Sequence, residues 1–142
     1  MGAANFSGEA WLEAAGAIAA EQEVLTLLAR EAGLPAGAGG CFMSGGSIGN
    51  LSALAVAREQ AGARRTVVVA DSAHASVHNA LHLLGMQAVV VPTGPDCRLT
   101  GDAIRSAAGG RDDIAAIVAS AGSTNAGVID DLSGCADVAD EL

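Results

Sequence analysis

The segment TVVVADSAHASVHNALHLLGMQAVVVP, residues 66–92, decides the predicted fold. Two of its runs, Thr66–Ala70 and residues 88–92, are apolar at successive positions and rich in valine, which is typical of strands buried on both faces. Residues 76–84 between them have helical spacing, and Gly85 is a suitable residue to end a helix. A strand, a helix and a second strand in this order predict two parallel strands joined by a crossover helix.

The same alternation of strands and helices continues on both sides of this segment. It predicts an α/β fold in three layers, with a mostly parallel sheet and helices on both of its faces. A chain of 142 residues is long enough for one domain with its own core, and we expect a single domain. The other predicted elements are a helix at 9–32 with Ser7 as its N-cap, helices at 47–61, 100–108 and 132–142, and strands at 41–44 and 114–120.

Composition and charge argue against several classes of protein. Hydrophobic residues make up 51% of the chain, which is too many for a disordered polymer. The formal net charge of −9 disfavours nucleic acid, a polyanion, as a partner. The chain has no apolar run of the ~18 residues that span a bilayer and no basic leader before an apolar core. We therefore expect a cytoplasmic protein without a membrane partner.

The cysteines and histidines do not predict a metal site. Cys41, Cys97 and Cys135 are widely spaced and form no CxxC pair, so we expect three buried free thiols. His74 and two further histidines recur at intervals of four residues, but no carboxylate or cysteine nearby completes a ligand set. We therefore expect no bound metal.

A glycine-rich junction precedes the helix predicted at 47–61. Gly45 and Gly46 remove side chains in front of the helix, and Ser47 offers a hydroxyl at its start. Backbone N–H groups and the helix dipole favour an anion at such a junction, and a phosphate is the natural ligand. The alternative is a plain turn in which Ser47 is simply the N-cap. The segment matches neither Walker A nor GxGxxG, so a nucleotide-binding domain has little support.

Two more polar junctions follow predicted strands. His74 comes after the first valine-rich strand, and Thr124 comes after the strand predicted at 114–120. In a parallel sheet these junctions lie at the carboxyl ends of the strands, where ligands of open α/β sheets collect. The alternative for His74 is an ordinary surface or cap residue. Asp130 and Asp131, which follow the third junction, are expected to cap the last predicted helix.

Together the three junctions resemble those of a known family. GGS before a helix, then DSAHAS, then AGSTNAGVIDDL occur in the order and at the separations found in the pyridoxal-phosphate-dependent group II amino-acid decarboxylases. That family includes the glutamate and aromatic amino-acid decarboxylases. The resemblance extends from about residue 6 to residue 142. It implies that residues 1–142 are a truncated part of the large cofactor domain of a fold-type I enzyme that depends on pyridoxal phosphate (PLP).

The resemblance implies a role for each junction. Gly45, Gly46 and Ser47 match positions that bind the cofactor phosphate. His74 matches the histidine that stacks on the pyridine ring, and it is the expected catalytic residue. Thr124 matches a threonine that lines the pocket for cofactor and substrate. The implied reaction is the decarboxylation of an L-amino acid to an amine by a homodimeric full-length enzyme with PLP as its cofactor.

Two groups that the family uses have no counterpart in these 142 residues. The sequence contains no lysine, so the lysine that forms a Schiff base with PLP is absent. The aspartate that pairs with the pyridine nitrogen belongs to a later strand of the family and is absent too. We therefore expect a fragment that ends before these residues and is inactive alone. Asp130 matches a structural acid of the family.

Two other functions remain compatible with these residues. A different fold-type I PLP lyase, similar to sphingosine-phosphate lyases or to aldolases, would cleave another bond to Cα. A non-catalytic remnant would keep a phosphate site without the reaction. The sequence does not discriminate between different amino acids as the substrate.

Overall fold

The structure is a computed structural model that describes Gly8 and residues 11–142. The chain divides into two compact units, Met1–Ser44 and Gly45–Leu142. The predicted N-cap Ser7 lies outside the described residues.

The first unit contains a long helix, α1, at Trp11–Glu31. This confirms the helix predicted at 9–32, whose first two residues lie outside the described part. The helix ends at Glu31, two residues before Gly33, whose φ of 68° suits glycine. The Leu34 N–H donates to the carbonyl of Ala29 at 2.9 Å. No helix in the described part of the chain, α1 included, is long and apolar enough to cross a membrane.

The prediction of a strand at 41–44 is wrong. These residues are irregular, and no strand lies in the described part of the first unit. The Phe42 N–H donates to the Glu21 carboxylate of α1 at 2.8 Å, and the Phe42 side chain is 57% exposed. An apolar run forms a strand only where a neighbouring strand completes its backbone hydrogen bonds, and within its unit this segment has no such neighbour.

The second unit alternates helices and strands around one sheet. Its elements are α2 Gly46–Gln60, β1 Thr66–Ala70, α3 Ala75–Leu84, β2 Gln87–Val91, α4 Gly101–Ala108, β3 Ile114–Val118 and α5 Leu132–Glu141. The strands are all parallel and lie in the order β2-β1-β3. In register, Thr66 of β1 pairs with Gln87 of β2 and with Ile114 of β3. Each element predicted in this unit is confirmed, with bounds that differ by at most two residues.

The sheet lies between two layers of helices, and its buried side chains form two cores. Successive residues of β1 point to opposite faces, so Val68 belongs to one core while Val67 and Val69 belong to the other. Helices α4 and α5 cover the first face, and α2 and α3 cover the second. The three-layer α/β fold is thereby confirmed. The first core consists of Val68, Ala70, Val91, Leu99, Ile104, Ala108, Ile114, Cys135 and Val138, and the second of Leu54, Val67, Val69, Val77, Ala80, Leu81 and Met86.

Strand β2 is an edge strand, and the prediction that it is buried on both faces is wrong. Only Val91 is buried, and Val90 is 49% exposed. Strand β1, which has a neighbour on each side, is buried along its whole length. The two strands have the same valine content, so their difference in burial comes from their positions in the sheet.

The strand order creates a switch point between β1 and β3. The chain leaves β1 toward α3 on one face of the sheet and leaves β3 toward α5 on the opposite face. The ligand crevice of open α/β sheets forms at such a point, outside the carboxyl ends of the strands. Helix α2 leads into β1 through the short connection 61–65, so the N-terminus of α2 lies at this same end of the sheet.

The prediction of three buried thiols is right only for Cys135. Cys41 is exposed and Cys97 is half-buried, because both lie in connections that no second layer covers. Cys135 lies in the core beneath α5, where burial raises the pKa of its thiol. The nearby carboxylates of Asp130 and Asp131 raise that pKa further.

Candidate functional site

Helix α2 begins at the glycine-rich junction, with Gly45 as its N-cap. The alternative in which Ser47 is the N-cap is therefore wrong, because Ser47 is the second residue of the helix. Gly45 has a φ of 147°, which favours glycine, and its carbonyl accepts the N–H groups of Ile48 and Gly49 at 3.1 Å each. The N–H groups of Gly46 and Ser47 have no acceptor among the described residues, so they are available to a ligand.

The start of α2 fits an anion such as a phosphate. The free N–H groups of Gly46 and Ser47 lie at the positive end of the helix dipole. The first turn contains no acidic residue that would repel an anion. A Cβ added to Gly46 would meet no atom within 4 Å, so the space beside these donors is open. The Ser47 hydroxyl adds a further donor.

His74 is the N-cap of α3 and lies directly after the loop that follows β1. Its Nδ1 accepts the Ser76 N–H at 3.2 Å, and the Ser76 Oγ lies 2.8 Å from the same nitrogen. Asn50 of α2 donates from Nδ2 to the Ser76 Oγ at 2.8 Å. These hydrogen bonds join the second turn of α2 to the first turn of α3, and the His74 side chain remains exposed. Sequence reasoning missed Asn50 and Ser76.

The loop after β1 is also tied to the loop after β2. The Asp71 Oδ1 accepts the Thr93 N–H at 3.2 Å and the Thr93 hydroxyl at 2.6 Å. Both residues follow the last residue of a strand closely, so the two hydrogen bonds hold the carboxyl ends of β1 and β2 side by side. Sequence reasoning noted the polar residue after β1 but not its partner.

Thr124 lies in a tight turn within the loop that follows β3. The turn is closed by an antiparallel bridge between Ala121 and Ile129. Inside it, the Ser123 N–H donates to the carbonyl of Val128 at 2.8 Å, and the Ser123 side chain is buried. Thr124 next to it is exposed. The turn therefore presents Thr124 to solvent.

Asp130 holds this loop to the rest of the sheet. Its Oδ1 accepts the Leu99 N–H at 2.8 Å and its Oδ2 accepts the Ser120 N–H at 2.7 Å. The prediction that Asp130 and Asp131 both cap the last helix is right only for Asp131, which is the N-cap of α5. Asp130 points away from that helix end, because two backbone donors from other loops bind its carboxylate.

The structure joins two of the three predicted junctions directly. Ser47 and Ser76 line one shallow cavity of about 130 Å³ between α2 and α3, and Ser76 in turn bonds His74. Thr124 follows β3 at the same end of the sheet, but no hydrogen bond links it to Ser47 or His74 in the described part. Among residues 11–142, no cluster of three or more metal-ligating side chains is present.

Curated relatives match nearly the whole chain. L-2,4-diaminobutyrate decarboxylase of Rhizobium meliloti is 36% identical over 151 residues, which cover 98% of this chain and 30% of that protein. Aromatic-L-amino-acid decarboxylase of Bacillus atrophaeus is 33% identical over 150 residues, which cover 96% and 31%. The chain is related to amino-acid decarboxylases. It spans about a third of the length of these relatives. No family model matches the chain.

Two solved structures superpose on most of this chain. Oryza sativa TDC with PLP and tryptamine superposes with a TM-score of 0.88 and 26% identity, over 99% of this chain and 34% of that one. Sphingosine-1-phosphate lyase of Burkholderia pseudomallei superposes with a TM-score of 0.73 and 26% identity, over 85% and 30%. The chain has the α/β fold of fold-type I PLP enzymes in the part that it covers.

Proposed function

We propose that the chain is part of a group II PLP-dependent amino-acid decarboxylase and belongs to its large cofactor domain. The observation that carries the proposal is the start of α2, where two backbone donors are free and where hydrogen bonds lead to His74. The similarity of nearly the whole chain to two amino-acid decarboxylases supports it.

In this proposal the start of α2 holds the phosphate of PLP. The N–H groups of Gly46 and Ser47 donate to phosphate oxygens, and the Ser47 hydroxyl adds a third hydrogen bond. Gly45 has no side chain to block the approach. The positive end of the helix dipole favours the dianionic group.

His74 and Thr124 border the rest of the cofactor. The flat imidazole of His74 would pack on the pyridine ring, and Thr124 would line the pocket that admits the amino acid. When bound, PLP supplies an electron-accepting ring for the electron pair released as carbon dioxide leaves. The chain contributes binding and orientation but no side-chain amine, because it has no lysine. We propose that the remainder of a longer, cytoplasmic and homodimeric enzyme supplies the lysine and the acid at the pyridine nitrogen.

Binding of pyridoxamine 5′-phosphate to the purified chain tests the proposal without a lysine. This compound has the ring and the phosphate, but an amine in place of the aldehyde, so it forms no Schiff base with the protein. We expect calorimetric titration to detect binding. Pyridoxamine, which lacks the phosphate, should bind with an affinity at least about tenfold lower. Equal affinity for the two compounds would contradict a phosphate site.

Two glycines of α2 offer a matched pair of variants. A Cβ at Gly46 or at Gly49 meets no atom within 4 Å, so the helix accepts alanine at both positions. Gly46→Ala puts a methyl group beside the two free donors, and we expect the affinity for pyridoxamine 5′-phosphate to fall about tenfold, equivalent to about 1.4 kcal/mol. Gly49→Ala lies further along the helix and should leave that affinity unchanged. A loss of the same size in both variants, or in neither, would argue against the phosphate site at Gly46.

A second candidate function is a PLP lyase that cleaves a different bond to Cα. It is favoured by the superposition on a sphingosine-1-phosphate lyase, which covers 85% of this chain, against 99% for Oryza sativa TDC. Product analysis of the longer enzyme that contains this chain separates the two functions. Release of carbon dioxide from an amino acid supports the decarboxylase, and release of an aldehyde supports the lyase.

A further inference from the structure

A polar side chain of α2 and one of α3 form a chain of hydrogen bonds that ends on His74, the N-cap of α3. Asn50 Nδ2 lies 2.8 Å from Ser76 Oγ, which lies 2.8 Å from His74 Nδ1. The Ser76 N–H also donates to that nitrogen, at 3.2 Å. Ser76 is only 6% exposed, so water does not readily replace these hydrogen bonds.

The direction of each hydrogen bond in the chain follows from the backbone donor. A backbone N–H group has no lone pair to offer, so the His74 Nδ1 that it contacts must be the unprotonated acceptor. The Ser76 hydroxyl therefore donates to the same nitrogen, which leaves its oxygen to accept. Asn50 fills that role with its Nδ2 group, which is the donor half of the amide.

We propose that Asn50 and Ser76 are positioning residues that fix His74 as the tautomer with its proton on Nε2. Two donors on Nδ1 disfavour a proton there, and they also restrict rotation of the ring about χ2. The exposed edge of the ring then carries an N–H donor, suited to an anionic oxygen such as a carboxylate of a bound amino acid. The inference rests on the proposed function only for what His74 contacts, because the tautomer is a property of the chain itself.

Nitrogen NMR of the protein labelled with ¹⁵N-histidine tests the tautomer directly, with no ligand present. At about pH 8, where an ordinary histidine ring is neutral, we expect His74 to show a protonated Nε2 and an unprotonated Nδ1. His78 and His82 serve as internal references, because their rings make no hydrogen bond within the described residues. A His74→Gln variant assigns the signals. A proton on Nδ1 of His74, or a mixture like that of the references, would overturn the proposal.

Substitutions at the two positioning residues should lower the ratio of the Nε2–H to the Nδ1–H form of His74 by amounts that follow a defined order. A typical hydrogen bond is equivalent to about a fivefold change in an equilibrium, so Ser76→Ala should lower the ratio of the Nε2–H to the Nδ1–H form about fivefold. Asn50→Ala should lower it less, because the hydroxyl remains. Asn50→Asp should lower it more than Asn50→Ala, because a carboxylate draws the hydroxyl proton away from the ring.

Two controls separate this effect from a general loss of structure. Ser76→Thr keeps the hydroxyl and should restore the tautomer, and Ser106→Ala removes an exposed hydroxyl on α4 and should leave it unchanged. If Ser76→Ala does not fold, the comparison of the two Asn50 variants decides the question. An unchanged His74 signal in the folded variants would refute the inference, whereas failure to bind pyridoxamine 5′-phosphate would refute only the proposed function.

Discussion

The Asp130→Asn substitution tests how the loops at the carboxyl end of the sheet are held. Asp130 is 2% exposed, and each carboxylate oxygen accepts one backbone N–H group, from Leu99 and from Ser120. Asparagine has nearly the same shape but only one acceptor oxygen, and its NH₂ group would meet the second backbone N–H group. One buried donor is then left without an acceptor.

The expected loss in free energy of unfolding follows from these two hydrogen bonds. A hydrogen bond to a charged group contributes about 1.5–3 kcal/mol, and an unpaired buried donor costs about 1–3 kcal/mol. We therefore expect Asp130→Asn to lower the free energy of unfolding by about 3 kcal/mol. Asp131→Asn is the matched control, because Asp131 caps α5 by accepting the Gly134 N–H at 3.1 Å. Asparagine caps helices about as well as aspartate, so this loss should stay below about 0.5 kcal/mol.

Urea unfolding followed by circular dichroism measures both losses. With a slope of about 1–3 kcal/mol per molar, a loss of about 3 kcal/mol lowers the midpoint by about 1 M or more at an unchanged slope. If Asp130→Asn lowers the midpoint no more than Asp131→Asn does, the Asp130 carboxylate does not hold the two loops. A change of slope would instead show that the compactness of one state has changed.

Three further predictions concern stability and reactivity. Gly49→Ala, inside α2, should raise the free energy of unfolding by up to about 1 kcal/mol in the same urea assay, because alanine forms helices better than glycine. Cys135 should react with iodoacetamide far more slowly than the exposed Cys41, because burial and nearby carboxylates raise the pKa of the Cys135 thiol, and peptide mass spectrometry measures both rates. Hydrogen bonds from Arg111 and from Thr66 lower the pKa of Asp113 to about 2, so the stability that its carboxylate contributes is present above about pH 4 and is lost as the pH falls through about 2. The difference in urea midpoint between the native chain and Asp113→Asn should shrink as the pH falls from about 4 to about 2, and a difference at pH 2 as large as that at pH 5 would contradict the assignment.

The sequence pattern predicts the helices and strands of the second unit, but it does not predict which strands are buried or have partners. Strand β1 and helix α3 followed from local signals, namely a run of valines and a terminal Gly85, and these signals act within a few residues. The burial of β2 and the absence of a strand at 41–44 depend on whether a partner lies alongside. That information comes from residues distant in sequence. The apolar runs at β2 and at residues 41–44 do not themselves show whether a partner is present.

The candidate site shows the same division between local and distant information. His74 was predicted to precede a helix, and the structure has it as the N-cap of α3, because a polar residue between a strand and a helix is a local signal. The role of Ser47 as N-cap was wrong, because a glycine with a φ of 147° took that position. Asn50 reads as an ordinary polar residue on a helix surface. It becomes part of the site only because α2 packs beside α3, which no local pattern specifies.

The order of the strands explains why these junctions lie at one end of the sheet. A glycine-rich start such as that of α2 occurs in many simple turns, and a single helix N-terminus does not make a ligand site. Here the chain runs from β1 to β2 and then crosses back to β3, so the loops after β1 and β3 diverge to opposite faces. The diverging loops leave a gap outside the carboxyl ends of β1 and β3, and His74 and Thr124 lie in these two loops. Because α2 leads directly into β1, its two free N–H groups lie at the same end as that gap. A glycine-rich helix start next to a reversal of strand order is therefore a more specific signal for an anionic ligand than either feature alone.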